Sequence, residues 1–263
     1  MSNASPRLAV VGPGLIGSSV ALAAARRWPG VRVTLVDRAD PLDVIRDATV
    51  VVLAAPVDAI IGALPRVAAL VTPETLVMDT GSTKRAIVRA AADAGIRRFV
   101  GGHPMAGGTA SGPAGARADL FDGRPWFLAN PVDPVAIADA EAFIEALGAQ
   151  PIRLNDHGEE HDRIMAAVSH LPQLTASALM AVVARAVSPE GMRWAGAGLR
   201  DTTRLAASSA DVWQSVLATN SAEIKPLLLQ LAADLAALAD RLEDRDAVRQ
   251  LFNEAASAKA SCL

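Results

Sequence analysis

Gly12-Pro13-Gly14-Leu15-Ile16-Gly17 follows an apolar run at residues 8–11 and opens an Ala-rich stretch at residues 17–27. The order is strand, glycine turn, helix, and the spacing is G-x-G-x-x-G. In that pattern the first glycine permits a tight turn, the second admits a pyrophosphate close to the backbone, and the third lets helix and strand pack closely. The pyrophosphate rests on the helix N-terminus, where free N–H groups and the helix dipole favour an anion. Gly12, Gly14, Leu15, Ile16 and Gly17 are therefore candidate cofactor-binding residues. The next β-branched run, residues 31–36, ends at Asp37, 20 residues beyond Gly17. A carboxylate there accepts hydrogen bonds from ribose hydroxyls and repels a 2′-phosphate, which favours NAD over NADP. Arg38, beside it, pulls the other way, and Pro56 after the third run joins the candidate set. Only 12 residues separate Asp37 from Val50, so the usual second helix is expected to shrink to a turn near residues 41–46.

Outward from this turn, short runs at residues 50–54, 76–78, 99–100 and 126–128 alternate with helical stretches such as 84–94 and 134–147. The runs are continuously apolar, as for strands buried on both faces. Alternation of strand and helix implies a Rossmann-type, doubly wound α/β sheet. After residues 152–154 the pattern becomes long Ala/Leu-rich stretches at 158–186, 190–207 and 211–240, with apolar residues recurring at three and four. The expected division is a dinucleotide-binding domain over residues 6–155 and an all-α substrate and dimerisation domain over 156–263. The helix around residues 226–242 is apolar on more than one face, which points to a homodimer.

Composition bounds the rest. The chain has 263 residues, 51% hydrophobic and 20% charged, with a net charge of −3. That excludes a disordered chain and gives no basic excess for nucleic acid or a membrane surface. The apolar run at residues 8–25 carries Gly12, Pro13, Gly14 and Gly17 near its start, unlike a signal or spanning helix. The one cysteine, Cys262, permits no internal disulfide, in keeping with a reducing, cytoplasmic setting. Arginines outnumber lysines 22 to 3, a bias read mainly as genome composition. The polar residues 1–5 are read as lying outside the fold, and no metal is called for.

Two clusters follow strand ends, where open parallel sheets bind ligands. The first is Asp79-Thr80-Gly81-Ser82-Thr83-Lys84; Ser82 and Thr83 either cap the next helix or offer a hydroxyl to a ligand. The second is Gly101-Gly102-His103-Pro104-Met105-Ala106-Gly107, with His103 expected at a strand's end and the glycines, Gly108 included, leaving room for a ligand. A neutral imidazole so placed can take a hydroxyl proton while hydride leaves the same carbon. Further on, Ser169-His170-Leu171-Pro172-Gln173 interrupts a helix with a proline. In Arg200-Asp201-Thr202-Thr203-Arg204, Asp201 is expected to cap a helix with Arg204 in its first turn, where a cation opposes the dipole and so either binds an anion or pairs with Asp201.

Together these motifs resemble the prephenate/arogenate dehydrogenase family of tyrosine biosynthesis. The likeness rests on GPGLIGSS, DTGSTK, HPMAG followed by Ser111-Gly112 and Leu120-Phe121, SHLP, and DTTRLA followed by Trp213 and Asn220. The resemblance implies NAD-dependent oxidative decarboxylation of a cyclohexadienyl carboxylate. It implies His103 and Ser82 as catalytic residues, Arg204 as the substrate-carboxylate partner, and His170, Thr109, Gln173 and Trp213 around the substrate. Two positions depart from the family pattern: its glutamate after HP-x-A-G is Thr109 here, and the second histidine of SH-L-P-H is Gln173. Prephenate, arogenate and a 4-amino analogue therefore stay open as substrates. No regulatory or mutase segment accompanies the two domains, so a monofunctional chain is expected. A β-hydroxyacid dehydrogenase is disfavoured because the only lysines after Lys84 are Lys225 and Lys259; a pyrroline-carboxylate reductase relative is a further alternative. A non-catalytic NAD(H)-binding regulator would need the glycines but not His103, Ser82 and Arg204 together.

Overall fold

The computed structural model describes residues 6–107, 112–129 and 133–261. Residues 1–5, Gly108, Thr109, Ser111 and Cys262 lie outside the described residues.

Five parallel strands run in the order β2-β1-β3-β4-β5: β1 Arg7–Val11, β2 Arg32–Val36, β3 Val50–Leu53, β4 Leu76–Asp79 and β5 Phe99–Val100. Successive side chains alternate between the faces of a strand. Leu8, Val10, Val52 and Met78 accordingly pack under α1 (Leu15–Arg27) and α4 (Pro134–Ala146). Ala9, Val51, Leu53 and Val77 pack under α2 (Val57–Ala68) and α3 (Arg85–Asp93). The connection after Asp37 is one 3-10 turn, Leu42–Ile45, in place of a helix.

The α/β region departs from one continuous parallel sheet. β6 (Gly102–Pro104), β7 (Pro125–Leu128) and β8 (Gln150–Arg153) form a second sheet, with β6 antiparallel to β7 and β7 parallel to β8. His103 therefore lies inside β6, opposite Phe127, and not at the end of a parallel strand. The glycines make this crossing possible by close packing. A Cβ on Gly102 would stand 2.6 Å from the Asp79 carbonyl oxygen and 2.8 Å from Trp126 Nε1. One on Gly101 would meet Val88 at 2.8 Å. At Gly101 and Gly102 the space expected for a ligand is filled by protein; of the described glycines in this stretch, Gly107 faces open space.

Among the described residues no strand follows β8. α5 (Glu159–Met165), a π-turn (Ala166–His170) and α6 (Leu171–Ala186) form one continuous helix. Pro172 does not interrupt it. Proline has no N–H and its ring crowds the carbonyl four residues back, here Val168, and the wider π-turn at that place accommodates it. The helix is long and apolar enough to cross a membrane, but its His161, Asp162 and His170 are buried and hydrogen-bonded within the fold. The stretch expected to be one helix at 190–207 is broken into 3-10 turns at Gly191–Trp194 and Arg204–Ala207 flanking α7 (Ala197–Thr202); Gly191, Gly196 and Gly198 disfavour a continuous helix. Asp201 thus sits in the last turn of α7 and caps nothing, and Arg204 opens a separate 3-10 turn. α8 (Ala210–Thr219), α9 (Ser221–Ala239) and α10 (Arg245–Ser261) complete the chain. Leu229, Leu242 and Phe252 stay at least 60% exposed.

The three fingerprint glycines are distinguishable by packing. Gly12 has φ +98° and would place a Cβ 2.5 Å from the Ala54 carbonyl oxygen; a Cβ on Gly17 would lie 2.1 Å from Gly12 O; one on Gly14 would meet nothing within 4 Å. Gly17→Ala forces backbone apart and should cost about 1–3 kcal/mol, whereas Gly14→Ala should leave the melting temperature unchanged. Thermal unfolding of the two variants checks this contrast.

Candidate active site

Two centres emerge on the α/β region. The first is a cleft of about 980 Å³ lined by Gly12, Gly14, Asp37, Arg38 and Pro56, with Asp211 and Gln214 of α8 on its far side. Leu15, Ile16 and Gly17 are not part of its lining: Leu15 and Ile16 pack on the core, and Gly17 packs against Gly12. The N-terminus of α1 has no side-chain cap and no acidic residue in its first turn. Its N–H groups and dipole are left for an anion. Asp37 keeps its backbone in place through Asp40, which accepts from Asp37 N at 2.8 Å, and its own Oδ1 accepts from Arg38 N at 2.7 Å.

The second centre surrounds His103. Its Nδ1 lies 2.9 Å from His161 Nε2, and His161 Nδ1 lies 2.8 Å from Asp162 Oδ1. Asp162 also accepts from the backbone N–H of Lys84 at 2.7 Å and of Arg85 at 3.1 Å. The N-terminus of α3 is thus capped from α5. Ser82 and Thr83 do not cap it: Thr83 Oγ1 bonds Thr219 Oγ1 at 2.9 Å, and the half-buried Ser82 hydroxyl has no partner among the described residues.

The bonding pattern fixes proton positions. A carboxylate only accepts, so Asp162 requires the proton of neutral His161 on Nδ1. His161 Nε2 then accepts, His103 Nδ1 donates, and His103 Nε2 keeps a free lone pair. Hydrogen bonds from His161, Lys84 N and Arg85 N hold the Asp162 carboxyl below its usual range despite burial. Burial, then the neighbouring His161, Lys84 and His170, pushes His103 well below the ordinary imidazole value of 6.5. His103 is therefore neutral at pH 7, in the state that can accept a proton.

The network continues from the Asp162 backbone. Asn220 Nδ2 donates to Asp162 O at 2.8 Å and faces His170 Nδ1 at 3.2 Å. His170 Nδ1 therefore accepts and its Nε2 carries the proton. Burial lowers its pKa to about 4, so it acts as a neutral donor. Trp213 packs edge-on to the His170 ring at 5.8 Å. His161 and His170 are nine residues apart, about 180° around an uninterrupted α-helix. The π-turn shifts the phase of α6 by about one residue, roughly 100°, and brings both into this network.

A buried ion pair supports the floor. Lys84 Nζ bonds Asp79 Oδ2 and donates to Gly102 O at 2.6 Å, while Asp79 Oδ1 accepts from Gly102 N at 3.0 Å. Burial pushes the Asp79 carboxyl up and the Lys84 ammonium down, and each charge opposes the other's shift. The pair clamps Gly102, the residue before His103.

The structure thus joins His103, His170 and Trp213 through His161, Asp162 and Asn220. Sequence reasoning named Asn220 only as part of a motif and passed over His161 and Asp162. Adjacent His and Asp in the first turn of a helix were the available signal, but their partners lie 58 and 78 residues away. Arg204 stands apart from this network. It is exposed and unpaired among the described residues, in a turn tied to buried Gln173.

Comparison with known proteins is concordant. Residues 18–153 match the family model described as prephenate dehydrogenase, nucleotide-binding domain, and residues 157–254 match its dimerization domain. The cyclohexadienyl dehydrogenase of Zymomonas mobilis is 31% identical, over 96% of this chain and 94% of the relative. The prephenate dehydrogenase of Bacillus subtilis is 29% identical, over 98% of this chain and 76% of the relative. The crystal structure of A. aeolicus prephenate dehydrogenase, in complex with hydroxyphenyl propionate and NAD+, superposes with a TM-score of 0.88 over 99% of this chain and 98% of that one, at 22% identity. The chain belongs to the prephenate dehydrogenase family.

Proposed function

We propose that this chain catalyses the NAD-dependent oxidative decarboxylation of prephenate to 4-hydroxyphenylpyruvate in tyrosine biosynthesis, as a cytoplasmic homodimer. The observation that carries the reading is the hydrogen-bonded line Asp162–His161–His103, which leaves a free lone pair on a neutral His103 Nε2. The exposed apolar residues of α9 and α10 support dimerisation through the helical region.

The cleft fits NAD. Gly14 leaves open space over the uncapped α1 N-terminus for the pyrophosphate, and Asp37 at the end of β2 suits the ribose hydroxyls. Bound NAD supplies the hydride acceptor. His103 Nε2 takes the proton of the substrate hydroxyl as hydride leaves the same ring carbon. The ring carboxylate departs as carbon dioxide, and its bonding electron pair completes the aromatic ring. His103 then returns its proton to the phenolic oxygen. Asp162 and His161 hold the imidazole in the required tautomer. Ser82, whose hydroxyl beyond β4 has no partner among the described residues, offers a hydrogen bond to the reacting oxygen, and Arg204 an anion partner for the substrate carboxylate. His170 Nε2–H donates to a substrate oxygen without adding charge, and Trp213 packs behind it.

NADH formation with purified protein, measured with prephenate and with arogenate, tests the assignment. Turnover with prephenate is expected, and turnover with arogenate alone would replace the substrate. His103→Asn should lower kcat by about 10²–10⁴-fold while NADH binding, followed by fluorescence, is retained. Gly14→Ala should do the reverse and weaken NADH binding.

The pH dependence has a definite sign. His103 works unprotonated and its pKa lies well below 6.5. kcat should therefore be level around neutrality and fall only in more acidic solution. Stability runs in the same direction. An unfolded histidine binds a proton near 6.5, whereas folded His170 binds one only near 4. Between these values the unfolded chain holds more protons, so stability is lost as pH falls from about 6.5 toward 4. Melting temperatures across that window should decline, and His170→Gln should flatten the decline.

A further inference from the structure

Gln173 lies three residues beyond His170, in the first turn of α6, and is 5% exposed. Its amide is committed to protein. Nε2 donates to Leu205 O at 2.8 Å and to Ser177 Oγ at 3.3 Å. Oε1 accepts from Ser208 Oγ at 3.2 Å. A backbone carbonyl can only accept, so the bond to Leu205 fixes which end of the amide faces the turn. Both N–H donors are used, and little of the side chain remains for a ligand.

The segment held in this way is the 3-10 turn Arg204–Ala207. Among the described residues, no other side chain from outside residues 199–208 hydrogen-bonds its backbone. Arg204 opens that turn, exposed and without an ion-pair partner among the described residues. A long flexible side chain on a short turn points where the turn points. Ordering a guanidinium before binding lowers the entropic cost of seating an anion on it.

We propose that Gln173 is a positioning residue that sets substrate affinity without touching substrate, by clamping the turn that presents Arg204. This rests on the proposed role of Arg204 as the partner of the substrate carboxylate. One long amide ties the first turn of the helix bearing His170 to the turn bearing the anion-binding cation. The two substrate-facing groups are thereby set relative to each other.

The test is a double-mutant cycle of Gln173→Leu and Arg204→Ala, with Gln173→Glu as the near-isosteric variant that loses the donor to Leu205. Each Gln173 variant alone should raise KM for prephenate about tenfold, with kcat within about twofold. In the Arg204→Ala background the same change should alter KM by less than about twofold, because the clamped group is gone. Additive effects on KM would make Gln173 a direct substrate contact and overturn the proposal. So would a lowered melting temperature with KM unchanged. Wild-type turnover with prephenate is the control for the underlying reading. If the wild type is inactive, amide exchange over residues 204–208 decides the clamp by itself. Faster exchange there in Gln173→Glu, with exchange in β1–β5 unchanged, supports it, and unchanged exchange overturns it.

Discussion

The carboxylate of Asp162 is the point on which both halves of this protein depend. It accepts the first free N–H groups of α3, doing for that helix what a local cap residue ordinarily does. It also accepts from His161 and thereby sets the tautomers of two imidazoles. Its backbone carbonyl holds Asn220, which orients His170. A single residue of α5 thus docks the helical region against α3 and sets which imidazole nitrogens carry protons. Breaking a buried, multiply bonded carboxylate of this kind leaves several donors unsatisfied at once, so docking and tautomer control are energetically coupled.

Burial supplies the remaining electrostatics. His103, His161 and His170 sit near one another, His103 and His161 also near the Lys84 ammonium, and burial above all pushes every one of them toward the neutral form. A charged imidazole would be costly in this setting, whereas a neutral one can take a proton or donate a hydrogen bond. Lys84 and Asp79 serve a mechanical end: they hold both the N–H and the C=O of Gly102, so the strand carrying His103 starts from a fixed point. Cleft and proton site are built by different means. The cleft uses backbone, through an uncapped helix terminus and a glycine with open space. The proton site uses side chains brought together from three separate parts of the chain.

Much of the α/β region was legible in local pattern. G-x-G-x-x-G between a strand and a helix, Asp37 at the end of the next run, and the short connection to Val50 are short-range features, because turn sterics and burial on both faces act within a few residues. The split into two sheets was not legible. It depends on Gly102 fitting against Asp79 and Trp126, which are 23 and 24 positions away. Asp201 was misread as a cap for the same kind of reason: its residue type suits an N-cap, but the glycines upstream moved the helix so that it ends there.

The sequence by itself determined the glycine turn between strand and helix and the succession of strands followed by helices, and it marked His103, Ser82, His170 and Arg204 as candidate site residues, since each stands in a local motif of recognisable residue types. Only the tertiary structure decided which nitrogen of His103 is free, what caps α3, and where Gln173 directs its amide. Those outcomes depend on hydrogen bonds between residues 32 to 78 positions apart, and on a π-turn that shifts the helical phase between His161 and His170. Periodicity along the chain carries no information about partners at that range.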